Sequence, residues 1–480
     1  MILENFISKT LNRKINYRLV FAIIALYQCL LYIIFNSDFK TTLGGDSRYY
    51  IGMVENLYQH GTFEFNGSKS GRMPGFLPLY LPIRLFFNQS TSLLILIFIQ
   101  LILYSYAVIY FIKRIAKLFD WKNVSIITVI LLLGFSNYIS HWGNVFYTES
   151  LAVSFTLIGL GLLIDFQNNS NKKLLFVSGI FFAWVLFLRP FMLLIYILVL
   201  AYLLYRNRKD FIKVGLLFLL PFIITDSIWI TRNYVNEKKI IIAQSSIYAS
   251  GAPNKSFLKY RELISSFGGD FTEWNPDSEG LWFQPNEYLK EYGFSRPNDN
   301  IFPEYIFYDG FTIDSLKKIR SLYWETENEN NKEIESVFIA ESNKFITGFK
   351  KNKPFHYHIT SKVRLLKNFI IHPYTYYLAI ENNKLHYVQL PLKILIYLLN
   401  TILFLLGYLC CVLWIIKLIK KFDFFSIILL TTPVFLMILF PIVFSSIEYR
   451  FQVMGVPFLA ISIGLIVNTF IKNRYVKLNG

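Results

Sequence analysis

Cysteine, charge and nucleotide-binding glycine motifs are all scarce in this chain of 480 residues. Its three cysteines, Cys29, Cys410 and Cys411, fall inside apolar runs, so the polar regions have no thiol and no disulfide framework. That usage permits an oxidising compartment without requiring one. No GxxxxGKS/T loop and no glycine-rich turn after a strand occurs, which excludes P-loop nucleotide hydrolysis and a Rossmann-type nucleotide-sugar site. His356, His358, His372 and His386 are scattered without metal-ligand spacing and read as surface or packing residues. Charged residues make up only 16% of the chain against 54% hydrophobic ones, and the mean hydropathy is +0.42. So little charge excludes a soluble globular protein and implies a polytopic membrane protein.

What charge there is has one dominant sign: 48 basic residues against 31 acidic ones, a formal +17. The polar region from Arg232 to Gln389 is nearly neutral, and the excess sits in short clusters between apolar runs. That distribution points to membrane orientation and anionic headgroups, and it argues against nucleic acid as a partner. Apolar runs of spanning or near-spanning length lie at 19–35, 93–112, 124–140, 150–165, 174–188, 191–205, 211–230, 391–416, 424–444 and 451–471. About ten transmembrane helices are therefore expected. Alternate connections carry the basic clusters Lys113–Lys122, Lys172–Lys173, Arg206–Lys209, Lys417–Lys421 and Lys472–Lys477, which puts both termini in the cytoplasm. The first apolar run follows a basic start but no small-residue cleavage site follows it, so it reads as an uncleaved span. "LRPF" at 187–191 interrupts one long apolar stretch; its proline favours two short spans with a tight outer turn over one kinked passage.

The outward-facing pieces are then 36–92, the loop "SNYISHWGNVFYTES", the Arg189 turn, 231–390 and "SSIEYR". This divides the chain into an N-terminal transmembrane module at 1–230, an extracytoplasmic cap at 231–390 and C-terminal transmembrane helices at 391–480. The cap is expected to be mixed and mainly helical, with helical spacing in "IDSLKKIRSLYW" and "SKVRLLKNFII" after a turn-rich aromatic half. In the first outer loop, "TLGGDSRYYIGMVENLYQHG", Asp46 or Ser47 can cap a surface helix whose apolar face is Tyr50, Met53, Val54 and Leu57 and which Gly61 ends. The residues alone leave two roles for Asp46, a helix cap or a reactive carboxylate. Each arginine at an outer membrane end has two readings as well, a headgroup anchor or a phosphate ligand. Glu149 is a dipole-favoured helix-start residue or a second acidic group at the site. Tyr49, Tyr50, His141 and Trp142 fit either an interfacial aromatic belt or a surface that stacks on a ligand. Asp226, inside an apolar run, and Glu448 beside Arg450 read as functional or ion-paired carboxylates.

The order of first span, carboxylate, "DSRYY" helix, "GRMPGFLPLYLPI", "YTES", "LRPF", "WITRNY" and a terminal "EYRFQVMGVPFLA" resembles the GT-C class of membrane glycosyltransferases. That class includes protein O-mannosyltransferases and the aminoarabinose transferases that modify lipid A. The resemblance implies a GT-C-like all-α membrane fold at a cell-envelope membrane, a bacterial inner membrane with the site facing outward. It also implies a polyprenyl-phosphate sugar donor, and a glycan, lipid or protein acceptor. Under it Asp46 is the base, with Glu149 a second acidic group, and Arg72, Arg232 and Arg450 are the phosphate-facing cations with Arg189 behind them, Arg189 having the alternative of fixing the turn and pairing with a carboxylate. Tyr49, Tyr50 and His141 are substrate contacts. Transfer is then an inverting displacement, since a phosphate departs without the acid catalyst that a glycosidase needs. No cofactor is expected; a divalent metal between Asp46 and Glu149 stays open, because oligosaccharyltransferases of the class use one. Here Ser47 stands where several members have a second acid, and Met73 separates Arg72 from its proline. Two rival readings are an envelope polysaccharide polymerase or ligase acting on lipid-pyrophosphate glycans, and a transporter or lipid flippase. The latter predicts midplane polar residues and inverted repeats, and neither is visible.

Overall fold

The computed structural model describes residues 15–35, 46–64, 71–136, 138–245, 255–273, 277–329, 332–370, 389–420, 422–443 and 449–479. Among them helix follows helix, and no strand occurs beyond one isolated bridge between Tyr308 and Phe311. The first half contains α1 (Tyr17–Phe35), α2 (Ser47–His60), α3 (Leu77–Arg84), α4 (Gln89–Leu118), α5 (Asn123–Gly134), α6 (Tyr138–His141), α7 (Glu149–Asn169), α8 (Lys172–Leu188), α9 (Leu193–Arg206) and α10 (Phe211–Glu237). Six further helices follow: α11 (Lys255–Ser266), α12 (Glu279–Phe283), α13 (Asn286–Tyr292), α14 (Ile313–Glu329), α15 (Lys332–Asn352) and α16 (Ser361–Ile370). The chain closes with α17 (Gln389–Lys420), α18 (Phe424–Ile438) and α19 (Val456–Asn479).

Among the described residues eight helical stretches are long and apolar enough to cross a bilayer, which makes the chain an all-α polytopic membrane protein. The two remaining expected spans, either side of "LRPF", are 17-residue helical pieces, Lys172–Leu188 and Pro190–Arg206. They form a hairpin. Phe182 and Tyr196 are 14 positions apart, so a straight helix would separate them by about 21 Å at 1.5 Å per residue. Their rings instead lie 6.3 Å apart, and both pack on Phe218 of α10. The reversal is made by extended Arg189 (φ −144°, ψ 90°) and a 3-10 turn at Pro190–Met192, the geometry a residue before proline prefers. Close approach fixes the hairpin against α10. A Cβ on Gly179 would sit 2.4 Å from the Phe218 carbonyl oxygen, so only glycine lets these two backbones pack this closely.

The chain divides into two compact units, Met1–Ser250 with Pro373–Pro433 and Val453–Gly480, and Gly251–His372 with Val434–Gln452. In the first, α7 is buried along almost its whole length and packs between α4 and α8. The last helix is tied to the α4–α5 turn by Asn468, whose side chain accepts the Lys122 amide at 2.8 Å and donates to the Asp120 carbonyl at 3.3 Å. Past α10 the chain turns back along it. Asp226 accepts the Ala243 amide (3.0 Å) and the Trp229 indole donates to the Gln244 carbonyl (2.9 Å).

The second unit has its own aromatic core. Trp282, Phe283, Tyr260, Phe267, Phe302 and Phe345 are buried at its centre, with Tyr260 stacked on Tyr323 at 4.7 Å. Arginines cover its edges: Arg320 lies 3.9 Å over Trp282 and Arg296 4.8 Å over Trp324. Burial, and then the neighbouring Arg296 charge, lower Arg320 from its ordinary value to about 10, which leaves it protonated at neutral pH. Glu279 is buried against Arg364 at 2.6 Å and accepts the Asp270 amide; burial outweighs the arginine and raises its pKa.

Candidate active site

Asp46 occupies the N-cap position of α2 but does not cap it. Its backbone is already helical (φ −61°, ψ −24°), and its side chain makes no capping bond. A cap needs extended backbone so that the carboxylate can fold back over the first amides. The side chain of Asp46 instead accepts from Arg72 Nη2 at 2.8 Å, with the pair only 20% and 13% exposed. Arg72 also faces the Tyr50 ring, 5.7 Å from its centroid, and Tyr50 in turn packs on Phe76. Gly61, at φ +73°, ends the helix as its sequence indicates.

A second charged group holds α2 on α3. Glu55, on the buried face beside Met53 and Val54, receives Arg84 Nε at 2.9 and 3.1 Å and the Tyr80 hydroxyl. Arg84 lies 4.2 Å over Tyr58 and donates to the Phe87 carbonyl. None of these residues stood out in the sequence. The available signal was a lone Glu55 interrupting an apolar helix face and a lone Arg84 closing an apolar run.

The loop that carries Arg72 is seated on the end of α8. A Cβ on Gly75 would meet Leu188 at 2.6 Å and the Phe187 carbonyl at 3.0 Å, so glycine is needed there. The Trp184 indole donates to the Gly75 carbonyl at 2.8 Å. Next to Arg72, Met73 forms a buried cluster with Phe187 and Trp229, against which Phe63 packs. Arg232 is drawn to the same cluster, 5.2 Å over Trp229, with Nη2 on the Phe63 carbonyl at 2.7 Å and Nη1 on Asn233 at 2.9 Å. The residue before Arg189 by two positions, Phe187, belongs to that cluster as well. Arg72, Arg189 and Arg232, far apart in sequence, thus sit on elements that converge on one apolar knot.

Arg189 forms a buried ion pair with Glu149, the first residue of α7. An unpaired charge there would carry a desolvation cost of several kcal/mol, so each group neutralises the other. His141 ends α6, edge-to-face with Trp142 at 5.8 Å, and Trp142 packs in turn on Tyr147. Tyr49 lies on the first turn of α2 beside Tyr50, and Asp226 is engaged by backbone rather than by a cation. His356 stacks on Tyr305 and bonds Thr360 in the cap, and His358 packs edge-on against Tyr357. Gly44, Gly45, His372, His386, Glu448 and the Arg450 side chain lie outside the described residues. Among the described residues no group of three or more His, Cys, Asp and Glu side chains is arranged to hold a metal ion.

Residues 52–247 match the Alg9-like mannosyltransferase family. The matched stretch begins just after Asp46, covers less than half of the chain, and takes in Arg72, Glu149, Arg189 and Arg232. No curated protein and no solved structure matches the chain significantly. With the apolar helices of spanning length, the family match makes this chain a GT-C-class polytopic membrane glycosyltransferase that uses a lipid-linked sugar donor.

Proposed function

We propose that the chain transfers a sugar from a polyprenyl-phosphate donor to an acceptor on the outer side of a bacterial plasma membrane, by a single inverting displacement with Asp46 as base. The observation that carries this reading is the Asp46–Arg72 contact at 2.8 Å, made by a carboxylate that sits at a helix start without capping it. In the proposed step an acceptor hydroxyl oxygen attacks the anomeric carbon and gives its proton to the Asp46 carboxylate. The bond from that carbon to the phosphate oxygen breaks, and the electron pair leaves with the polyprenyl phosphate. Arg72 is suited to two tasks, because a guanidinium presents five donors in a rigid fork: one holds Asp46 and others can meet phosphate oxygens. Arg232, on the same apolar knot, is the second cation for the departing phosphate. Glu149 and Arg189 position the α7 and α8 ends on which the loop rests. The basic clusters between spans support cytoplasmic termini and an outward-facing site.

The family match makes mannose the first sugar to test. Purified protein is incubated with polyprenyl-phosphate mannose and an acceptor extract, and the anomeric configuration of the product is read by NMR. Transfer with inversion, and none from a nucleotide sugar alone, is expected. Retention of configuration, or direct use of the nucleotide sugar, would contradict the mechanism.

A further inference from the structure

The cap is electrically divided. Residues 255–341 carry nine basic and seventeen acidic side chains, whereas 342–380 carry seven basic ones (Lys344, Lys350, Lys351, Lys353, Lys362, Arg364 and Lys367) and no acid. Within that basic stretch the chain forms a continuous helical run, a π-helical turn at His356–Thr360 leading directly into α16. One face of α16 is the cap's own: Ser361, Leu365 and Phe369 are fully buried, and the Phe369 carbonyl accepts from the Gln452 side chain. Another face is apolar and open. Phe355, Ile359 and Val363 are 66%, 50% and 57% exposed, and the row continues through half-buried Leu366 and Ile370. The spacing of four, four, three and four residues aligns all five on one side of a helix.

We propose that this face, from Phe355 to Ile370, docks on the anionic lipid surface of the leaflet on the cap's side of the membrane. Its apolar row enters the boundary between headgroups and acyl chains, and the flanking lysines meet lipid phosphates. The occupant is identified by charge complementarity. A row of large apolar side chains bordered by cations, with no carboxylate over 39 consecutive positions, is the pattern of an in-plane amphipathic helix on an anionic membrane. Residues 342–380 offer no acid to pair with the bases of a mixed-charge protein surface, so a protein covering this face is the contrary outcome that the test separates. The acidic remainder of the cap is repelled by the same membrane, so the charge division also orients the unit. The inference rests on the cap alone and stands whether or not Asp46 is the base.

The test places an environment-sensitive NBD label at Ile359→Cys, and separately at Val337→Cys in the acid-bearing first half of α15 as a control, in full-length protein with Cys29, Cys410 and Cys411 replaced by alanine. The labelled proteins are reconstituted in nanodiscs of phosphatidylcholine alone or mixed equally with phosphatidylglycerol, with and without doxyl-labelled lipid. The label at 359 is expected to shift to the blue and be quenched by doxyl lipid in the anionic discs, less so in the neutral ones, while 337 responds in neither. Each of Lys350, Lys351 and Lys353 changed to serine should lower the docked-to-undocked ratio about fivefold. A label at 359 that iodide quenches and doxyl lipid does not would show a face open to water. One shielded from both would show a face covered by protein. Either overturns the proposal. Hydrogen exchange on the unmodified protein avoids the substitutions: amides of 355–370 should exchange more slowly in anionic discs with 313–329 unchanged, and equal rates in both discs would contradict docking.

Discussion

Arginine is handled differently in the two units. In the membrane unit Arg72, Arg84, Arg114 and Arg189 each meet a carboxylate, Asp46, Glu55, Asp165 and Glu149. In the cap Arg261, Arg296 and Arg320 lie on the faces of Phe271, Trp324 and Trp282. Among the described residues Arg364 departs from that habit by meeting a carboxylate, that of buried Glu279. The difference follows from the surroundings. Among apolar helices a bare guanidinium is costly and an opposite charge offsets it at these four, while Arg232 is met by the Trp229 face and neutral oxygens; at the edge of a water-exposed domain an aromatic face and solvent together suffice. The lesson for function is that the membrane unit holds Asp46, Glu55 and Glu149 each against a guanidinium, so the candidate base sits in defined geometry among apolar helices.

The comparison can be broken at its strongest point first. Arg189→Ala leaves Glu149 buried without its counterion and should destabilise the protein by about 3–5 kcal/mol, read as thermal unfolding in detergent. The double variant Arg189→Met with Glu149→Leu removes both charges and should recover most of that loss; equal destabilisation by the two would show that pairing is not what the site needs. In the cap the corresponding change is smaller. Arg320→Ala removes a cation from Trp282 and should lower cap stability by about 1–2 kcal/mol while leaving donor binding untouched, measured by limited proteolysis beside a binding assay.

The smallest effect concerns acid. Asp299 is held below its usual 3.8 chiefly by the hydrogen bond from Lys317, at 2.8 Å. A carboxyl whose folded pKa is depressed contributes stability that is complete above the unfolded value and is lost as pH falls through the folded one. Lys317→Met should therefore lower cap stability slightly at neutral pH, less so as pH falls through the folded value, and move the acid midpoint, followed by tryptophan fluorescence, toward slightly higher pH. An unchanged acid midpoint would remove this pair from the account.

The spans were legible because hydrocarbon thickness imposes a length on apolar runs, and the hairpin was legible because Pro190 cannot continue α8. Asp46 and Arg72 could be picked out as an ordered pair of motifs, but not their contact, because the intervening loop sets it. Glu149 with Arg189 and Glu55 with Arg84 were hidden for the same reason: each pair spans about thirty to forty positions, and sequence carries no marker of which helix ends meet. Arg232 was noticed as a cation, yet its seat on Trp229 depends on a knot built from Phe63, Met73 and Phe187, three apolar residues with nothing distinctive about them. Asp226 is a different case. A carboxylate in an apolar run suggested chemistry or an ion pair, and the structure gives it a backbone amide to hold.

The central claim is that the Asp46 carboxylate accepts the acceptor's proton, and the most direct measurement is sugar transfer by Asp46→Asn beside wild type, with donor binding measured on the same preparations. Asparagine keeps the size and can still accept a hydrogen bond from Arg72, but it cannot serve as the base. Transfer should fall by about 10²–10⁴ while donor binding stays near that of wild type. Turnover at the wild-type rate in the asparagine variant would contradict the assignment.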